Sequence, residues 1–151
     1  MLKLNRVITL VLVPLFIGGL IYVLFRDETL YMFRWFRFLG IMGILSQFRH
    51  IAISNVCPPE WVIFNMPDAL WVFSFTNLML ILWQKKSTDH SFFWIILPPA
   101  IGVCSEIGQL AGLVNGTFDL LDLVFIFIFI AIILSFTLNA TSKSKHSYEI
   151  K

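Results

Sequence analysis

The chain has 151 residues, a formal net charge of +2 and only 13% charged residues, against 58% hydrophobic ones. A water-soluble domain of this size needs roughly twice that charged fraction to cover its surface, so the composition excludes an ordinary soluble fold. The small net charge and the lack of any Lys/Arg stripe also exclude a nucleic-acid-binding surface.

The first element is the apolar run Val7–Phe25, preceded by Lys3 and Arg6 and followed by Arg26-Asp27-Glu28. It is too long for the apolar part of a signal peptide, and no small-residue cleavage pattern follows it, so it reads as a retained span. Next comes Tyr31-Met32-Phe33-Arg34-Trp35-Phe36-Arg37, whose alternating rings and guanidiniums suit a membrane–water interface. Phe38–Val56 is ambiguous. It is apolar as far as Leu45, then carries Gln47, Arg49 and His50, and it fits either a further span or a helix lying on the membrane.

Two later runs are clear: Ala69–Trp83, with Pro67 suited to its first turn, and Leu120–Leu138. Between them Ser91–Gly112 is interrupted by Pro98-Pro99, which should kink it, and carries Glu106 and Gln109. The expected fold is therefore an all-α, polytopic membrane helix bundle with four or five transmembrane helices. It occupies residues 1–138 and is followed by a polar cytoplasmic tail over 139–151. The Gly18-Gly19 pair suits close helix packing. Cys57 opens a Cys-Pro-Pro turn and Cys104 lies in an apolar run, where a lone Cys reads as a small buried hydrophobe; no disulfide is expected.

Basic residues near span ends set the orientation. Lys85 and Lys86, and then Lys143, Lys145 and Lys151, place two loops in the cytoplasm. Five spans put eight of the eleven basic residues inside, leaving out Lys3, Arg6 and Arg49; four spans put seven inside. Five is preferred because Phe38–Val56 is just long enough to cross. The last three spans run the same way in both arrangements.

With that orientation the acids gather at the outer ends of those spans. Asp68 opens one, with Trp71 on its face. Glu106 and Gln109 close the next, and Asp119 and Asp122 open the last; residues three apart share a helix face. Asp68 and Asp119 also suit helix capping in a first turn. Glu106 is harder to explain structurally, since it lies about 8 Å below the span end in an apolar stretch, where an ionised group costs a few kcal/mol. Glu60 reads as an acid in a solvated loop. Four carboxylates at one depth require compensation. Arg49 and His50 are the expected counter-charges, with a bound divalent cation as the alternative. Zinc-site spacing is absent, and neither a resident metal nor another cofactor is expected. Ser74 and Ser105 show no triad pattern.

The order Pro67-Asp68-x-x-Trp71, Glu106-x-x-Gln109, then Gly116-Thr117-Phe118-Asp119-x-x-Asp122 resembles the VanZ-like family of small bacterial membrane proteins, over about residues 65–130. The resemblance implies a protein of the bacterial inner membrane with a role in tolerance of glycopeptide and lipoglycopeptide antibiotics, and a site at Glu106, Gln109, Asp119 and Asp122. The family's usual Asn one turn beyond the second Asp is replaced here by Phe125, Ile126 and Phe127, and its His and Tyr after the first Asp are missing. The expected function is binding of a membrane lipid, a lipid-linked envelope precursor or a cationic amphiphile. Two other readings stay open: an enzyme acting on a lipid-linked substrate with Glu106 as general base, and a structural subunit whose acids pair with a membrane partner's cations.

Overall fold

The computed structural model describes residues 2–83 and 89–149, and the described residues are helical with short connections. In chain order they form α1 (Leu2–Val7), a π-helical turn (Ile8–Leu12), α2 (Val13–Phe25), α3 (Tyr31–Phe38), α4 (Met42–Asn55), α5 (Glu60–Phe64), α6 (Met66–Trp83), α7 (Asp89–Leu110) and α8 (Leu120–Glu149). Three helices are long and apolar enough to cross a membrane: Leu4–Phe25, Met66–Trp83 and Ser91–Leu110. The apolar part of α8, Leu120–Ser135, is shorter, although its helical backbone continues to Glu149.

The π turn sits directly before Pro14, which offers no N–H to the Leu10 carbonyl and crowds it with its ring; widening the turn relieves both problems. Pro98 and Pro99 lie inside α7, which continues past them as one helix. Lys85 and Lys86, which carry much of the orientation argument, lie outside the described residues.

α6 is the central helix, packing against α2, α7 and α8. Its buried residues cover most of its circumference: Pro67, Ala69, Leu70, Val72, Phe73, Ser74, Thr76 and Asn77; Trp71 and Leu82 stay exposed on the remaining flank. The polar members donate to their own helix. Ser74 bonds the Leu70 carbonyl at 2.7 Å, Thr76 that of Val72 at 2.7 Å, and Asn77 that of Phe73 at 2.9 Å. Each is thus buried with a hydrogen bond to its own helix. Phe73 meets Phe129 of α8 edge-on at 5.4 Å.

Of the expected glycine pair, only Gly18 packs against another element: a Cβ there would lie 3.4 Å from the Leu70 Cβ and from the Pro67 carbonyl oxygen, whereas Gly19 has nothing within 4 Å. Both cysteines are free. Cys104 is exposed on α7 rather than buried, because it faces away from α6.

α4 is not among the helices long and apolar enough to cross a membrane, so a fifth span is not borne out. α4 is 14 residues long, about 21 Å, against a hydrocarbon core of about 30 Å. The chain also leaves α2 and enters α6 at the same end of the bundle: the Arg26 guanidinium lies over the Phe64 ring at 5.0 Å, and Gly18 faces Pro67. A single crossing between those points would separate them by the thickness of the bundle. Residues 26–65 instead form a cap of short helices over that end.

Candidate functional site

α6, α7 and α8 bring their acids together beneath this cap, each for a local reason. α7 ends at Leu110 and the chain is turned out of it at Gly112, whose φ of +69° suits glycine; Leu113 N–H donates to the Gly108 carbonyl at 2.8 Å and Gly112 N–H to that of Gln109 at 3.0 Å. This stop leaves Glu106 and Gln109 in the last turns of α7, on one face. The chain then turns back through Gly116, with φ +145°, and any Cβ at that position would lie 2.7 Å from the Gln109 side-chain carbon. Gly116 therefore lets the loop close over the Gln109 amide. At the head of α8 the Asp119 carboxylate accepts the Leu121 N–H at 2.9 Å, a capping bond as the sequence allows.

A cavity of about 240 Å³ results, lined by Arg26, Glu60, Trp61, Phe64, Asn65, Asp68, Glu106, Gln109, Thr117, Asp119, Leu121 and Asp122. Five of the six expected ligand-binding residues line it. The sixth, Trp71, lines an adjoining cavity that shares Asp68, Glu106 and Gln109. Glu60 is exposed, yet it stands at the rim of the pocket rather than in a loop away from it.

Asn65, which the sequence reading missed, organises the acids. It is 2% exposed, and its amide donates to Asp119 Oδ2 at 3.0 Å and to Asp122 Oδ1 at 2.9 Å. One neutral donor group thus holds two carboxylates of α8 beside α6. Its bond, with that from Leu121, pulls the Asp119 carboxyl below the ordinary aspartate range. The available signal was spacing, since Asn65 lies three residues before Asp68 and shares its face.

Neither expected counter-charge, Arg49 or His50, lines this pocket. Arg49 is buried at the pocket end of the bundle, but it is turned toward the end of α2. There it donates to the Val23 carbonyl, donates to the Arg26 carbonyl at 2.8 Å, pairs with Glu28 at 3.3 Å and covers the Phe33 ring at 4.9 Å. A helix C-terminus presents unpaired carbonyls and partial negative charge, and a guanidinium fork matches both. His50 is exposed on α4 and lines none of the pocket. The cation in the pocket wall is Arg26, held between the Tyr22 ring at 5.3 Å and the Phe64 ring at 5.0 Å.

Glu106 remains incompletely satisfied. It is 5% exposed, and its Oε2 has no hydrogen-bond partner among the described residues. A buried carboxylate oxygen without a donor costs a few kcal/mol. Among the described residues, no group of three or more His, Cys, Asp or Glu side chains is arranged to hold a metal ion.

Fold and site together define an all-helical protein of membrane-spanning proportions, with an acid-lined pocket where the ends of three helices meet. No family model, curated protein or solved structure matches the chain.

Proposed function

We propose that this is a VanZ-like protein of the bacterial cytoplasmic membrane. In this reading it crosses the bilayer four times, and its outward-facing acidic pocket binds the cationic head of a cell-envelope lipid, a lipid-linked precursor or a cationic amphiphile. Such binding would underlie a role in glycopeptide and lipoglycopeptide tolerance. One observation carries the reading: the unpartnered Oε2 of the buried Glu106, in a wall of five carboxylates with a single arginine. A pocket so constituted favours a ligand that brings positive charge and N–H donors.

The four-span arrangement is supported by the meeting of α2 and α6 at the pocket end, and by Lys3 and Arg6 on the turn at the other end of the N-terminal helix. On α4, Ile44, Phe48 and Ile51 form an exposed apolar stripe at helical spacing, which suits a helix lying on the outer membrane surface. For the orientation, Asn115→Cys, in a protein whose native cysteines are Ala, is expected to react with a membrane-impermeant maleimide in intact cells. Labelling of Lys86→Cys in its place would turn the pocket toward the cytoplasm and end the envelope reading.

Lipid carried through purification in mild detergent tests the binding itself. The wild-type protein should retain amine-bearing amphiphiles above their share of the membrane, and Glu106→Gln should lose that enrichment. Asp27→Asn, an exposed acid outside the pocket, should keep it. The same lipid profile on all three proteins would refute the pocket as a cation site.

A further inference from the structure

We infer that the pocket's occupant is an amphiphile with a protonated aliphatic amine, which arrives sideways from the membrane between α6 and α7 and leaves its chain in the groove there. This rests on the reading of the pocket as a cation site and specifies both the ligand class and the route.

The acidic pocket adjoins a second cavity of about 240 Å³, and Asp68, Glu106 and Gln109 line both. Its remaining walls are Trp71, Val72, Ile101, Gly102, Ser105 and Ile126. Val72 and Ile126, each 1% exposed, make the floor, whereas Trp71 at 38% and Ile101 at 48% stand open on the flank of the bundle and frame a mouth. At Gly102 α7 packs directly onto the floor of this furrow, since a Cβ there would stand 2.9 Å from Val72 Cγ2 and 3.2 Å from Ile126 Cδ1; Ser105, one turn nearer the acids, is a small side chain in the cavity wall. The furrow leads to Glu106.

Chemistry then selects the ligand. Asp119 and Asp122 are engaged by Asn65, which leaves Asp68 and Glu106 as the acids that line both cavities at their junction; the Glu106 Oε2 is buried and has no hydrogen-bond partner among the described residues. An ammonium brings three donors and a full positive charge to that junction. A small soluble cation would satisfy the acids but leave the furrow open, and a neutral chain would fill the furrow but leave Glu106 unpartnered. The remaining cavity at Asp68, about 200 Å³ between α2 and α6, touches neither Glu106 nor Gln109, so it offers no equivalent path.

The test uses the protein in lipid nanodiscs, with empty nanodiscs as background, titrated with dodecylamine, dodecanol and ethylamine. Each methylene removed from water is worth roughly a fourfold gain in affinity. Much of the chain only exchanges lipid for protein, so dodecylamine should bind on the order of tenfold to a hundredfold more tightly than ethylamine. Dodecanol should not bind above background. Ser105→Phe fills the furrow and Ile101→Trp narrows its mouth; neither residue lines the acidic pocket. Either change should weaken dodecylamine about tenfold while leaving ethylamine bound as before. If dodecylamine binds no better than ethylamine, or both variants leave its affinity intact, the sideways route is wrong and the cation site stands. If dodecanol matches dodecylamine, the amine does not select the ligand, and the inference falls. If neither amine binds the wild-type protein, the cation site itself is wrong.

Discussion

Replacing Arg49 by Ala is expected to destabilise the protein by about 2–5 kcal/mol, read as a lower Tm in detergent. The guanidinium is 8% exposed and serves three acceptors: the Val23 and Arg26 carbonyls and the Glu28 carboxylate. Glu28 is about half exposed, so that ion pair contributes little on its own. The larger part of the loss comes from two carbonyls at the end of α2 left without donors, and from the space opened above Phe33, which is fully buried. Arg49→Lys should recover little, because one ammonium cannot span the same acceptors and stack on the ring. A double-mutant cycle locates the interaction. Arg49→Ala should couple to Glu28→Gln and be additive with Glu106→Gln. Strong coupling to Glu106 would mean that Arg49 neutralises the pocket after all, and that Arg26 is not its cation.

Asn65→Ala is expected to cost about 2–4 kcal/mol, since a buried amide with two charge-assisted bonds is lost and both carboxylates lose a donor. Its pH dependence has a definite sign. The folded protein holds the Asp119 carboxyl below its ordinary pKa through the bonds from Asn65 and Leu121. A depressed carboxyl stabilises the fold fully above the unfolded-state pKa, and that contribution disappears as pH falls through the folded value. The Tm difference between wild type and Asn65→Ala should therefore be large at neutral pH and shrink below the ordinary aspartate range. A constant difference across that range would show that Asn65 acts through packing rather than through the carboxylates.

The apolar runs and the residues at their ends were legible because they follow from length, hydropathy and three-residue spacing. Glu106 with Gln109, and Asp119 with Asp122, come together for that reason. What spacing could not show is which way a side chain turns once helices pack. Arg49 sits at the expected end but faces the α2 carbonyls, and the arginine in the pocket is the one that directly follows the first run. α4 stays open between a short span and a surface helix at the level of sequence, because an apolar stretch of borderline length fits both equally well; the meeting of α2 with α6, which bears on that choice, is tertiary. Asn65 went unnoticed because its importance is tertiary, lying in two acids more than fifty residues away.

The self-bonded polar residues of α6 have a mechanical consequence. Ser74, Thr76 and Asn77 each donate to a carbonyl of their own helix, so these bonds do not fasten it to a neighbour. Further from the pocket, α6 meets α8 through hydrocarbon surfaces such as Phe73 on Phe129. Such surfaces resist being pulled apart but scarcely resist sliding, because one apolar contact replaces another. Among the described residues, the side-chain hydrogen bonds that join the heads of these two helices are those of Asn65, at the pocket end. Axial slippage of α6 along α8 is therefore opposed chiefly at the place where a ligand would compete for the same carboxylates.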